Sequence, residues 1–128
     1  MTIERQLRGR QAEDFVANRL AAAGWQLLER NARPAEARGE LDIVAGDGRD
    51  LVFVEVKARS VGAVRGPISP VLAVGARKQL RIRRLAAAWL RARRPGSAGF
   101  ERLRFDVAGV WIAGDGSVAG CDYVRDAF

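Results

Sequence analysis

Two β-strand patterns separated by a short turn constrain this chain most strongly. Residues 40–45 alternate, with the acidic side chains Glu40 and Asp42 on one face. The apolar side chains of the other face are Leu41, Ile43 and Ala45. Residues 51–58 are apolar and β-branched, which is typical of a central strand, and the Gly and Asp residues at 46–50 are typical of a turn. The segment therefore predicts an antiparallel hairpin within a β-sheet.

The remaining patterns place this hairpin in a mixed α/β fold. Helical spacing predicts one helix at about 2–23 and a second at about 71–94. Gly24 ends the first helix, and Pro95 follows the second. The other predicted elements are a strand at 25–30, loops at 31–38 and 60–70, and a closing hairpin of strands at 102–112 and 118–124. The order α-β-β-β-α-β-β predicts one domain over residues 1–128, with a mixed sheet of about five strands flanked by helices.

The central hairpin is expected to bring two carboxylates together. Glu55 and Lys57 are two residues apart in a strand and share a face. If the turn is centred between positions 48 and 49, paired residues have numbers that sum to 97. Asp42 then lies opposite Glu55, and Glu40 lies opposite Lys57. Because cross-strand Cβ atoms are about 5 Å apart, the carboxyl groups of Asp42 and Glu55 would meet.

This arrangement indicates a metal site. Two carboxylates opposed in apolar strands repel each other at a cost that burial increases, whereas a divalent cation removes the conflict. The chain has no histidine and one cysteine, Cys121, so the ligands would be oxygen atoms, which suit Mg²⁺ or Mn²⁺. Lys57, beside the ion, would orient or deprotonate a water or stabilise a pentacovalent phosphate. The alternative is an exposed hairpin on which Glu40–Lys57 and Asp42–arginine pairs are surface salt bridges.

Composition excludes several classes of protein. Without histidine the chain has neither a Ser-His-Asp nor a Cys-His catalytic unit, nor an imidazole metal site. Its single cysteine cannot form an intrachain disulfide. The segment 1–6 lacks an apolar signal core, and no run of 18 apolar residues occurs, so we expect a cytoplasmic chain with no membrane partner.

The charge balance favours a polyanionic partner. The chain has 22 basic against 15 acidic residues, a net charge of +7, and all but two of the basic residues are arginines. Arginine suits bidentate phosphate contacts. A stripe on the second predicted helix, at Arg77, Arg81, Arg84 and Arg91, has helical spacing. It is interpreted as a surface that follows a nucleic-acid backbone, with a merely solvated face as the alternative.

The residues around the two acids also resemble a known family. The segments Gly39-Glu-Leu-Asp-Ile-Val44 and Phe53-Val-Glu-Val-Lys-Ala-Arg59 are similar to the PD-(D/E)xK nuclease core. More narrowly, the chain resembles the YraN-like family, UPF0102, related to archaeal Holliday junction resolvases. The similarity extends to Gly9, Ala12-Glu-Asp14, Gly24, Asn31-x-Arg33, Lys78, Arg104-Phe-Asp106 and Ala127-Phe128. It implies a restriction-endonuclease-like fold, a metal-dependent phosphodiesterase site and a homodimer.

The resemblance also assigns roles to individual residues. Asp42 and Glu55 would hold the metal with the backbone carbonyl of Val56, and Lys57 would be the catalytic lysine. Glu13, on the first helix, would complete the metal site. Glu40 would support the metal ligands without binding the metal itself. The residues expected to contact nucleic acid are Arg59, Arg77, Lys78, Arg81 and Arg84.

Several of these assignments have structural alternatives. Glu13 lies on the inward face of its helix, where it could equally be a buried glutamate paired with an arginine. The arginines considered for that pair are Arg19, Arg33 and Arg59. For Lys78, the alternative is a solvated lysine at the start of a helix. Arg104 and Asp106 are interpreted as a structural pair in the last hairpin. The three tryptophans, Trp25, Trp89 and Trp111, are expected in the core.

Three functions therefore remain open from sequence. The first is a Mg²⁺- or Mn²⁺-dependent endonuclease that hydrolyses phosphodiester bonds in DNA, including branched or structured DNA. The second is a nucleic-acid-binding module on a nuclease scaffold, without turnover. The third is an interaction protein with no affinity for nucleic acid.

Overall fold

A computed structural model of the chain describes residues 3–62, 74–92 and 99–128. Its helices are α1 (Ile3–Ala22) and α2 (Ala76–Ala92), and its strands are β1 (Gln26–Ala32), β2 (Leu41–Asp47), β3 (Asp50–Ser60), β4 (Arg102–Ile112) and β5 (Val118–Val124). The predicted order of elements is confirmed. The second helix begins later than the expected position 71, because Val74 and Gly75 are not helical. Its expected ends at 71–73 and 93–94, the loop at 63–70 and Pro95 lie outside the described residues.

The five strands form one sheet in sequence order, β1-β2-β3-β4-β5. Strands β3 and β4 run parallel, and the other neighbouring pairs are antiparallel, so the predicted mixed sheet is confirmed. The β2–β3 ladder extends from the Ile43–Val54 pair to the Asp47–Asp50 pair, and the partners' numbers sum to 97, as predicted. The short turn sets this register, and burial on both faces opposes a one-residue slip.

A helix covers each face of the sheet. Val16 of α1 is buried in one core cluster with Val54 of β3, whereas Trp89 of α2 is buried in the other with Phe53. Successive β3 residues therefore pack against different helices, which explains why this strand is almost continuously apolar. None of the described helices has the length and apolarity that a membrane span requires.

Two predictions about core residues were wrong. Leu41 does not share a core with Ile43 and packs in the α2-side cluster. Its β1 partner, Ala32, follows Asn31, whose left-handed φ of 51° interrupts the alternation at this end of the ladder. Trp111 is half-buried although its neighbours Val110 and Ile112 on β4 are buried, because successive strand residues point to opposite faces. The other two tryptophans are buried as expected.

The predicted pair of Arg104 and Asp106 is confirmed as a buried, two-bond contact, with both N–O distances at 3.0 Å. Asp106 also accepts hydrogen bonds from the Tyr123 hydroxyl at 2.6 Å and from a backbone N–H of the C-terminal segment at 2.9 Å. Arg104 also donates to Asp47 and Asp50, at the β2–β3 turn. This network joins the turn to the last two strands.

Candidate metal centre and nucleic-acid interface

Asp42 and Glu55 meet just beyond the paired part of the β2–β3 hairpin. The register that ends at Ile43 and Val54 places these two acids next to each other. The backbone N–H of Val56 donates to Oδ2 of Asp42 at 2.9 Å, and the Asp42 side chain lies within hydrogen-bonding reach of the Glu55 carboxyl group. The side chains that the sequence analysis expected to face each other are therefore in contact.

The surroundings of Asp42 oppose its ionisation. Burial raises the pKa of Asp42 to about 8, with a further increase from the negative charge of Glu55, and the Val56 N–H offsets this only in part. Glu55 itself is only 5% exposed. Below that pKa, a proton relieves the repulsion between these two carboxyl groups. A divalent cation would relieve it in the same way.

Two partly exposed lysines lie beside the buried carboxylate of Glu55. Nζ of Lys57 lies 3.5 Å from Oε2 of Glu55, and Nζ of Lys78, reaching from α2, lies 3.0 Å from the same oxygen. Burial lowers the pKa of Lys57, and Lys78 adds to the decrease, although Glu55 opposes it. For Lys78 burial acts to lower the pKa, but the attraction of Glu55 outweighs it and the pKa is raised. Lys57 is therefore the more readily deprotonated of the two.

Asp42 also belongs to a cluster of three carboxylates with Glu13 and Glu40. One carboxylate oxygen each from Glu13, Glu40 and Asp42 lies within 4.8 Å of the others. Glu13 reaches this point from α1, and Glu40 is the residue just before β2. Burial raises the pKa of Glu13, the Asn31 side chain lowers it, and the charge of Glu40 raises it further. Because Glu40 belongs to the same group of oxygens as Glu13 and Asp42, its position fits a direct ligand as well as a supporting residue.

The partners of Glu13 and Glu40 differ from those considered from sequence. Nδ2 of Asn31 donates to Oε1 of Glu13 at 2.6 Å and to Oε1 of Glu40 at 2.7 Å. Arg33 forms an ion pair with Oε2 of Glu40 at 2.8 Å. The predicted pairing of Glu40 with Lys57 was wrong, because β2 begins one residue after Glu40 and the ladder does not reach it.

The sequence analysis includes Asn31 only as part of the family pattern and Arg33 also as a possible partner of Glu13, but it assigns neither residue to the metal site. The signal for Asn31 was its residue type, because asparagine is one of the few residues that tolerate a positive φ. No local pattern predicts that its side chain would reach α1 and the loop before β2. Their contacts with Glu13 and Glu40 add both residues to the candidate site.

Two clefts of the described structure are lined by arginines, and one of them adjoins the acidic residues. The cleft beside α2, about 670 Å³, has arginines at 38, 77, 81, 84 and 91, which include the predicted stripe. The cleft beside α1, also about 670 Å³, has arginines at 5, 10, 30 and 33, and Glu13 and Glu40 form part of its wall. Lys78 is half-buried and pairs with Glu55, so it does not lie on a merely solvated face. Arg59 is half-buried on β3 and lines neither cleft.

Comparisons with known proteins identify close relatives over nearly the whole chain. The model of a family described as "Uncharacterised protein family UPF0102" matches residues 12–110. A "UPF0102 protein" of Moorella thermoacetica is 43% identical over 128 residues, covering 100% of both chains. A "UPF0102 protein" of Rhodococcus opacus is 43% identical and one of Frankia casuarinae is 48% identical, each over 120 residues and 94% of both chains. The matched span includes every acidic and lysine residue of the candidate centre.

Proposed function

The chain belongs to the family UPF0102, and we propose that it is a Mg²⁺- or Mn²⁺-dependent endonuclease that hydrolyses phosphodiester bonds in DNA. The observation that carries the proposal is the convergence of Asp42 and Lys57 on the buried carboxylate of Glu55. The order of these residues along two adjacent strands resembles the PD-(D/E)xK nucleases and archaeal Holliday junction resolvases. That likeness supports branched or structured DNA as the substrate.

The donor set fits a hard divalent ion. All candidate side-chain ligands are carboxylates, and Mg²⁺ and Mn²⁺ prefer oxygen. Asp42 retains a proton up to a pKa of about 8, so a cation placed beside it would replace that proton. Asp42 and Glu13, whose oxygens lie within 4.8 Å of each other, would hold the ion together with Glu55, which contacts Asp42, and the backbone carbonyl of Val56. Glu40, the third member of that group, would support Glu13 or bind directly. When bound, the ion would supply Lewis-acid stabilisation of negative charge on the phosphate.

The two lysines suit different tasks. Lys57 is half-buried, with a lowered pKa, and its Nζ is positioned to orient a water and accept a proton from it. Lys78 has a raised pKa and stays charged. It would bind a phosphate oxygen and counter the charge that develops during hydrolysis.

The arginine-lined clefts would hold the DNA backbone. Arg77, Arg81 and Arg84 are exposed in the α2 cleft, and Arg33 lies at the acidic wall of the α1 cleft. Contacts from arginines to phosphates position a duplex without reading its sequence. We therefore expect binding that depends strongly on salt and weakly on base sequence.

A nicking assay on supercoiled DNA with Mn²⁺ tests this function. Wild-type protein should convert supercoiled to nicked DNA, and chelation of the metal with EDTA should stop the reaction. Asp42→Asn and Lys57→Met should each lower the rate by at least about 100-fold, because the first removes a metal ligand and the second removes the group that accepts a proton from the attacking water. Asp122→Asn, an exposed change of the same type on β5, serves as the control and should leave the rate unchanged. Cleavage that persists in both site variants would overturn the assignment.

The arginine clefts by themselves favour a second candidate, a nucleic-acid-binding module without turnover. Their nine arginines would bind a phosphate backbone whether or not a metal occupies the acidic residues. This alternative predicts salt-sensitive DNA binding by the wild-type protein and no nicked product with either metal. The same assay, run beside a binding measurement, separates the two functions.

A further inference from the structure

We propose that Asn31 is a positioning residue of the candidate metal centre. Its side-chain amide holds the carboxylates of Glu13 and Glu40 together beside Asp42. The inference rests on the proposed function, since it concerns the affinity of the same site for its ion. Neither the family pattern nor the spacing of the acids assigns this role to Asn31.

The contacts of Asn31 join two parts of the chain that otherwise repel each other. An amide nitrogen carries two protons, so Nδ2 can donate to two acceptors at once. Here it donates to Glu13 of α1 and to Glu40 before β2, at 2.6 and 2.7 Å. Without this shared donor, two like charges would have no bridging group to keep them close. The bridge therefore assembles the acidic group before any ion arrives.

The backbone of Asn31 directs its side chain to this position. The preceding residue, Arg30, forms an ion pair with Asp14 of α1 at 2.7 Å, and Asn31 contacts Glu13 of the same helix. Consecutive residues of a regular strand point to opposite faces, so both could not reach α1. The left-handed φ of Asn31, 51°, interrupts that alternation. The residues on either side of Asn31, Arg30 and Ala32, are paired with β2 and hold this left-handed residue in place.

The contacts of the individual carboxylate oxygens show how Asn31 orients the two glutamates. Asn31 binds Oε1 of both glutamates, and Arg33 binds Oε2 of Glu40. Glu40 is thus fixed at both oxygens, whereas the contact with Asn31 orients Glu13 and leaves its Oε2 outside the bridge. Outer groups that orient ligands in this way commonly change metal affinity by about 10- to 100-fold.

Mn²⁺ binding measured by calorimetry tests the inference with a variant that keeps the backbone. Asn31→Gly removes the amide but accepts the positive φ. It should weaken Mn²⁺ binding by at least about tenfold. Asn18→Ala, which changes the chain's other asparagine at an exposed position of α1, should bind Mn²⁺ like the wild type. Equal affinity of Asn31→Gly and wild type would overturn the role of Asn31 alone, whereas a wild-type protein that binds no Mn²⁺ would overturn the proposed metal site and this inference with it.

A second measurement needs no variant to fold. In the unmodified protein, the side-chain amide resonances of Asn31 should shift when Mg²⁺ is added, because their acceptors become ligands. Those of Asn18 should remain in place. If the Asn31 resonances do not respond to Mg²⁺ while backbone signals of Asp42 do, the ion binds without the bridge and the inference is wrong.

Discussion

The side chains of Asp42 and Glu55 are in contact at the end of the β2–β3 ladder, where Glu55 is almost completely buried and the pKa of Asp42 is raised. Two carboxyl groups in contact cannot both ionise without lowering the stability of the fold. In the protein without metal, this pair is a local source of instability, and the proton on Asp42 limits the cost. The predictions about pH and metal follow from this contact.

We expect Asp42→Asn to stabilise the metal-free protein at high pH. The pKa of Asp42 is about 8 in the folded chain against 3.8 for the unperturbed group, so stability falls as the pH rises between these values, when the unfolded chain has released the proton. Asparagine cannot ionise, and its amide can still donate to Glu55. In EDTA at pH 8.5 the variant should melt about 3–8 °C above wild type. A variant that melts below wild type at this pH would show that the pair is not strained.

Metal binding should strengthen with pH up to about 8. An ion that binds Asp42 must displace its proton, so the affinity for Mn²⁺ should rise by up to about tenfold per pH unit below that pKa and then level off. Calorimetry at pH 6.5, 7.5 and 8.5 would measure this and would record the released proton through its dependence on the buffer. Asp42→Asn should abolish the pH dependence along with most of the affinity. An affinity that is constant over this range would contradict the raised pKa of Asp42.

The α2 cleft should contribute a measurable part of DNA binding. Changing both Arg81 and Arg84 to alanine removes two exposed guanidinium groups from its wall. The slope of log affinity against log salt should become shallower by about 1.8, since each lost phosphate contact accounts for about 0.9. Fluorescence anisotropy with a labelled duplex at several salt concentrations gives this slope.

The control for that experiment is Arg49→Ala, which removes an exposed arginine at the β2–β3 turn, paired there with Glu101. It lowers the net charge without touching either arginine cleft. The salt slope of the Arg49→Ala variant is compared with that of the Arg81/Arg84 double variant. If the slope changes equally for each charge removed, the loss of DNA affinity reflects net charge alone, and the α2 cleft is not the binding surface.

Arg104 should be among the residues on which folding depends most. Its guanidinium is buried and joins Asp106 to the aspartates of the β2–β3 turn. Arg104→Met leaves Asp106 buried without its main partner, which should cost about 3–5 kcal/mol in the free energy of unfolding. Arg102→Met, which removes an exposed pair with Asp50, should cost less than about 1 kcal/mol. Urea denaturation of both variants checks the difference, and equal losses would show that burial of the Arg104 network does not matter.

The hairpin could be predicted from sequence because its determinants are local. A short turn and a strand buried on both faces set the register, and the register places Asp42 beside Glu55. The spacing of Glu55 and Lys57 was enough to predict that they share a face. The proposal for the centre relies mainly on these residues, which lie close together in the chain.

The surroundings of the centre could not be predicted in the same way. The contact of Lys78 with Glu55 depends on where α2 packs, and its chain separation from β3 gives no periodic signal. The bridge from Asn31 to Glu13 depends on a left-handed residue inside a strand, which alternation does not anticipate. The wrong pairing of Glu40 with Lys57 has a simpler cause. The rule that partner numbers sum to 97 was applied to Glu40, which precedes β2 and lies beyond the last pair of the ladder, Ile43–Val54.

The parallel ladder between β3 and β4 has a consequence for biosynthesis. It runs the whole length of both strands, from Asp50–Arg102 to Ser60–Ile112, so every contact joins residues far apart in the chain. Such pairings form slowly, because a long loop must close before they contribute. During translation, the strand that carries Glu55 and Lys57 leaves the ribosome well before its neighbour. We expect the centre to assemble only when the C-terminal strands have emerged, so a nascent chain stalled before β4 would have no working site.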